Sequence, residues 1–209
     1  KISEPDNYLE KNIKIFKPNV IFNALHGQFG EDGYIQTILD KFKIPYTHSS
    51  AIASSIAMDK EISKKLFIKN KIKTPKFFTY TYEVPTSNLI KKITKELKFP
   101  VVIKPLNEGS SVNVYICNKG NLNKILNKLE PYKKVLIEQF VAGREIQVAI
   151  MGNKKLGAIE LKPKRKFYDY KAKYDTKAKT QHIIPVDLPK DKFKQLMNIA
   201  HKAHKIIGC

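Results

Sequence analysis

The sequence predicts a mixed α/β fold, and three observations predict it. Short β-branched runs alternate with segments of helical period along most of the chain. Gly, Pro, Asn and Asp mark the places where the period changes. An apolar fraction of 42% over 209 residues suffices to bury a core.

Taken in order, Asn19 to Leu25 is an apolar run that reads as a strand, ending in His26-Gly27. Gly33 to Phe42 then carries Ile35, Ile38, Leu39 and Phe42 at helical spacing, and Ile44 to Thr47 restarts an extended segment. Ala51 to Ala57 and Asp59 to Asn70 read as helices, the second with Asp59 as N-cap and Ile62, Leu66 and Phe67 on one face. The pattern continues as strand Phe77 to Thr81, helix Thr86 to Leu97, strand Val101 to Lys104, strand Val112 to Cys117, helix Asn121 to Leu129 and strand Val135 to Phe140. Glu145 to Met151 and Leu156 to Leu161 predict a hairpin around Gly152-Asn153. Lys162 to Pro185 is a long lysine- and tyrosine-rich connection without a strong period, which predicts a mobile functional loop. Asp191 to Ile207 reads as an amphipathic helix stopped by Gly208.

Composition narrows the class. No stretch approaches the ~20 apolar residues of a membrane span, and Lys1 to Glu10 lack the apolar centre of a signal peptide. Two cysteines, Cys117 and Cys209, form no disulfide framework and fit a reducing compartment, so a cytoplasmic protein is expected. A formal charge of +20 invites a nucleic-acid partner. Only Arg144 and Arg165 are arginines, however, and the lysines are spread through every segment, whereas base recognition favours the arginine fork. An anionic small substrate fits the charge as well.

Five stretches carry chemistry. Val101-Val102-Ile103-Lys104-Pro105 delivers a lysine at a strand end, and Glu108-Gly109-Ser110-Ser111 follows with amides and hydroxyls, a combination suited to polyphosphate; an ordinary turn reads the same way. His26-Gly27-Gln28-Phe29-Gly30-Glu31-Asp32-Gly33 lies between a strand and a helix, where open α/β sheets bind ligands. Its ordinary reading is a helix-capping loop. Lys60 opens a helix, and its meaning depends on Lys104. Ile137-Glu138-Gln139-Phe140-Val141 with Glu145 offers backbone groups near Gln139 and Val141 for an adenine edge and carboxylates for an amine or ribose hydroxyls, or else a salt-bridged turn. Phe167-Tyr168-Asp169-Tyr170-Lys171-Ala172-Lys173-Tyr174 mixes aromatics with lysines, as a nucleotide lid or a base-stacking loop would. His201, His204 and Cys209 lack a fourth ligand and are not read as a metal site.

In combination, Asn23-Ala24-Leu25-His26-Gly27, Gly30-Glu31-Asp32-Gly33, Met58-Asp59-Lys60, Val102-Ile103-Lys104-Pro105, Glu108-Gly109-Ser110-Ser111-Val112, Ile137-Glu138 and Phe167-Tyr168-Asp169-Tyr170 with Ala172-Lys173-Tyr174 resemble the D-alanine-D-alanine ligase family of the ATP-grasp superfamily. The resemblance covers roughly Asn19 to Cys209. It implies a partial ATP-grasp fold, α/β and α+β, preceded by the end of a Rossmann-like domain. The expected divisions are residues 1–50 (substrate-binding domain), 51–139 (central lid domain) and 140–209 (first part of the C-terminal domain).

It also implies that ATP phosphorylates the carboxylate of one D-alanine and that the amine of a second attacks the acyl phosphate, for peptidoglycan and the cell wall. Lys60, Lys104 and Ser111 would then hold the nucleotide phosphates, and Glu138, Gln139, Phe140, Val141, Glu145 and Phe167 its remainder. Lys173 would reach the transferred phosphoryl group, His26 the first D-alanine, and Ser110 would bond Tyr174 to tie phosphate loop to lid. Tyr174, rather than phenylalanine, resembles the form that takes D-alanine as second substrate.

Gln28 stands where the family commonly has arginine and Asn113 where glycine is common. The family's leading Gly-rich segment has no counterpart before Asn19. Its magnesium (or manganese) ligands belong to motifs expected after Cys209, so these 209 residues alone are expected to be inactive. The expected partners are ATP and D-alanine, with no nucleic acid or membrane, and the complete protein is expected to be a homodimer. Another carboxylate-amine ligase of the superfamily and a basic nucleic-acid-binding module are the alternatives.

Overall fold

The computed structural model describes residues 7–163 and 180–209. In chain order the elements are α1 (Asn7–Phe16), α2 (Tyr34–Lys41), α3 (Ala51–Met58), α4 (Lys60–Lys69), β1 (Phe77–Thr81), α5 (Thr86–Glu96), β2 (Val101–Pro105), β3 (Tyr115–Cys117), α6 (Leu122–Leu129), β4 (Lys134–Gln139), β5 (Glu145–Met151), β6 (Lys154–Lys162), β7 (Gln181–Ile183) and α7 (Lys190–Ile207). The cap residues hold where expected. Asp59 accepts from the amides of Glu61 and Ile62, and Gly208 stops α7 at φ 90°, in the left-handed conformation that suits glycine.

Two sheets organise the chain. The first is four-stranded and antiparallel, in the order β1-β4-β2-β3. On one of its faces Val101, Ile103, Val135 and Ile137 meet Leu89 and Ile93 of α5, Leu97 just past its end, and Leu122, Ile125 and Leu129 of α6 in a single apolar core. The second is β5-β6-β7, with the expected hairpin turning at Gly152. Helix α7 packs on β5 and β6 and also on α3 and α4, so those two helices link the N-terminal elements to the second sheet.

Four expectations need correction. Asn19 to Leu25 forms no ladder: Ile21 makes one parallel bridge with Tyr46, and Val20 and Phe22 stay exposed. A strand needs a paired neighbour along its length, and Ile44 to Thr47 meets it at one point only. Strand Val112 to Cys117 shortens to Tyr115–Cys117, because Ser110, Ser111 and Asn113 take φ of 51°, 58° and 54°, which an extended ladder excludes. The connection from Lys162 to Pro185 contains β7, paired with the end of β6; residues 164–179 within it lie outside the described residues. Finally, no element is predicted before Asn19, yet Asn7–Phe16 is helical, and its Ile13 joins Ile35 and Leu39 in a small second core.

Candidate nucleotide site

The second face of the first sheet carries charge. Val102 of β2 lies directly opposite Glu138 of β4, so Lys104, two residues on, lies diagonal to Glu138 on the same face. Lys104 Nζ donates to Glu138 Oε1. The other carboxylate oxygen, Oε2, accepts from Lys64 Nζ at 2.7 Å, and Lys64 also donates to Thr74 Oγ1 at 2.7 Å. The Lys64 ammonium sits 4.9 Å from the centre of the Phe77 ring, the β1 residue opposite Glu138. Burial pushes the Glu138 carboxyl up, but Lys104 and Lys64 together offset this and hold it below the usual range.

Lys64 was not anticipated; of the apolar residues read on one face of α4, Leu66 and Phe67 are half-buried. Ile62 is 50% exposed, while Ser63 and Lys64 are each 7% exposed. Lysine is buried in proteins when it is paired, and here both of its neighbours are acceptors. The available signal was the i, i+4 spacing from Lys60, which puts both lysines on one helix face.

Lys60 closes the other end of this group. Its Nζ donates to the carbonyls of Leu106 (3.0 Å) and Glu108 (2.5 Å), and its own amide donates to Leu106 as well. Burial and the nearby Lys104 charge lower its ammonium to about 8, from an ordinary 10.5. The N-terminal turn of α4 is thus fastened to the segment running from Lys104 into Ser110 and Ser111. Farther along, Asn113 donates to the Tyr132 hydroxyl at 2.8 Å, and Tyr132 donates to Glu108 Oε1 at 3.0 Å. Asparagine, standing where glycine is common, keeps the left-handed turn and adds a side-chain tie to it.

The His26 to Gly33 loop faces this segment. Glu31 Oε2 accepts from the Gly27 amide at 2.6 Å, and a side chain added at Gly109 would come within 3.7 Å of the same oxygen. Asp32 accepts from the Phe29 amide and from that of Tyr34, the first residue of α2. Gly30 is required sterically: a Cβ there would stand 2.4 Å from that of Leu25. His26 itself is exposed. A cleft of about 880 Å³ lies between this loop and the segment Leu106 to Glu108, with Gln28, Tyr34, Ile56, Glu108, Tyr132 and Lys134 on its walls.

Of the expected site residues, Lys60, Lys104 and Glu138 therefore come together, with Ser110 and Ser111 on the loop that leaves Lys104. Glu138 is a buried ion-pair centre, held by Lys104 and Lys64. Gln139, Val141 and Glu145 are exposed on the run from β4 into β5, and Phe140 is half-buried. The Gln139 amide is already engaged, donating to the Lys76 carbonyl at 2.9 Å, because β4 is an inner strand with β1 on that side. Phe167, Lys173 and Tyr174 lie outside the described residues.

Comparison with known proteins gives one family throughout. A model described as D-ala D-ala ligase C-terminus matches residues 66–209, and one described as D-ala D-ala ligase N-terminus matches residues 2–49. The D-alanine--D-alanine ligase of Pelagibacter ubique is 67% identical over 208 residues, covering 100% of this chain and 68% of its own length. That of Wolbachia pipientis is 38% identical over 98% of this chain and 64% of its own. A crystal structure of D-alanine--D-alanine ligase from Bacillus anthracis superposes with a TM-score of 0.81 at 33% identity, covering 100% of this chain and 67% of that one. The same enzyme complexed with ATP gives 0.78 at 27% identity, covering 98% and 65%. The chain thus spans about two thirds of the length of these relatives.

Proposed function

The chain belongs to the D-alanine-D-alanine ligase family, with its ATP-grasp fold, and from that premise we propose that it serves the ATP-dependent joining of two D-alanines through an acyl phosphate. The observation that carries the reading is the convergence of Lys60, Lys104 and Glu138 where the β2 strand end hands over to the Gly109 loop. This arrangement supports a nucleotide site in which each group has a task.

Lys104 and Lys60 would bind phosphoryl oxygens as point charges, exchanging their present oxygen partners for stronger anionic ones. Ser110 and Ser111, with φ near that of a left-handed turn, would add donors from the loop. Glu138, and the segment through Gln139, Phe140 and Val141 to Glu145, would hold the adenosine portion, with Val141 exposed to cover a ring. Since the Gln139 amide is engaged, recognition of an adenine edge would fall to the other backbone groups of this run. His26 would meet the carboxylate of the first D-alanine from across the cleft. Phe167, Lys173 and Tyr174 complete the set on the family resemblance.

Magnesium or manganese is implied by the family. Among the described residues no three carboxylate, imidazole or thiolate groups are placed to hold a metal ion. No described helix is long and apolar enough to cross a membrane. A cytoplasmic homodimer working on peptidoglycan precursors is the setting we propose.

Phosphate release by the full-length protein tests the reading. D-Alanine should stimulate ATP cleavage strongly, and L-alanine, D-serine and D-lactate should not. Equal stimulation by another carboxylate-amine pair would move the protein to a different ligase activity.

A further inference from the structure

Lys64 is the most buried cation described, and neither phosphate binding nor ligation uses it. Its ammonium donates to Glu138 Oε2 and Thr74 Oγ1 and lies 4.9 Å from the centre of the Phe77 ring. Lys104, by contrast, donates to Glu138 from the more open side, and its side chain is 20% exposed against 9% for Lys64. One carboxylate thus joins a fixed ammonium to a more accessible one.

We propose that Lys64 is a positioning residue: it remains on Glu138 as a permanent counter-ion, so that Lys104 can leave that carboxylate for a phosphate oxygen. The inference rests on the nucleotide reading of the site. Were Lys64 absent, departure of Lys104 would strand a buried carboxylate without a cation, and that cost opposes binding directly. Lys64 touches no reacting atom in this scheme and acts only through Glu138. Thr74 and Phe77 hold it in place while Lys104 moves.

The test is ATP binding by the full-length protein, measured by calorimetry in four forms: wild type, Lys64→Met, Glu138→Gln and the double variant. Lys64→Met should weaken ATP binding at least tenfold in the Glu138 background and less than threefold in the Glu138→Gln background, where no carboxylate remains to retain Lys104. Lys64→Arg, which keeps the charge, should bind within about threefold of wild type and serves if the methionine variant does not fold. Equal losses from Lys64→Met in both backgrounds would show ordinary packing and overturn the inference, as would a tenfold loss in Lys64→Arg. Unchanged binding by Lys64→Met would overturn it too, leaving the nucleotide reading intact. A wild-type protein that binds no ATP overturns the nucleotide reading and this inference with it.

Discussion

On one face of the four-stranded sheet, Val101, Ile103, Val135 and Ile137 lie against α5 and α6 with no measurable solvent exposure. One residue along the same strands, Lys104 and Glu138 point to the other face and meet Lys64 from α4. The alternation of a β-strand thus sets a dry apolar layer and a charged group back to back, separated by the thickness of one backbone. The apolar face supplies rigidity. The charged face uses it, because diagonal groups on a sheet keep their spacing only while the ladder beneath them holds.

The sharpest way to break the comparison is to change neighbouring residues of β4. Ile137→Asp would place a carboxylate in the core with no cation to pair it, and the protein should fail to fold; Ile137→Ala should cost about 3 kcal/mol in chemical denaturation. Lys104→Ala, on the opposite face, should abolish measurable ATP binding while shifting the denaturation midpoint much less than Ile137→Ala. If Lys104→Ala unfolded the protein as readily, the charged face would be part of the core and not a site laid upon it.

A smaller effect comes from pH. Lys60 has its ammonium lowered to about 8 by burial and by Lys104. A bound phosphate would raise it again, so binding takes up a proton whenever the free site is neutral. Nucleotide affinity should therefore be level well below pH 8 and fall as pH rises through about 8, toward tenfold per unit. Lys60→Arg, whose charge persists, should flatten that fall. A steep fall retained in the arginine variant would assign the titration to another group.

The two faces were unequally legible in the sequence. Strands β2 and β4 and helices α5 and α6 announce themselves by β-branched runs and helical spacing, since burying apolar surface is what those patterns do. Lys104 and Glu138 could be picked out because each sits at a recognisable strand end. The ion pair between them could not, for it depends on register, which Val102 opposite Glu138 reveals only in the folded sheet. Ser110, Ser111 and Asn113 gave no sign of their left-handed backbone, a conformation that sequence reading assigns first to glycine. Lys64 was hidden for a more general reason. A hydrophobic pattern assigns lysine to water, so a lysine buried by its partners goes unnoticed.

The burial of Lys64 makes the smallest prediction informative. If the apolar residues of α4 formed its inner face, Ile62→Ser would cost 2 kcal/mol or more, as for a buried aliphatic side chain. In the structure Ile62 is 50% exposed on the wall of the cleft, with Ser63 and Lys64 turned inward. Ile62→Ser should therefore change stability by no more than about 0.5 kcal/mol in chemical denaturation. A near-neutral result would mean that α4 is oriented by Lys64 reaching Glu138 and by Lys60 reaching Leu106 and Glu108, with polar contacts choosing the face that its apolar period does not.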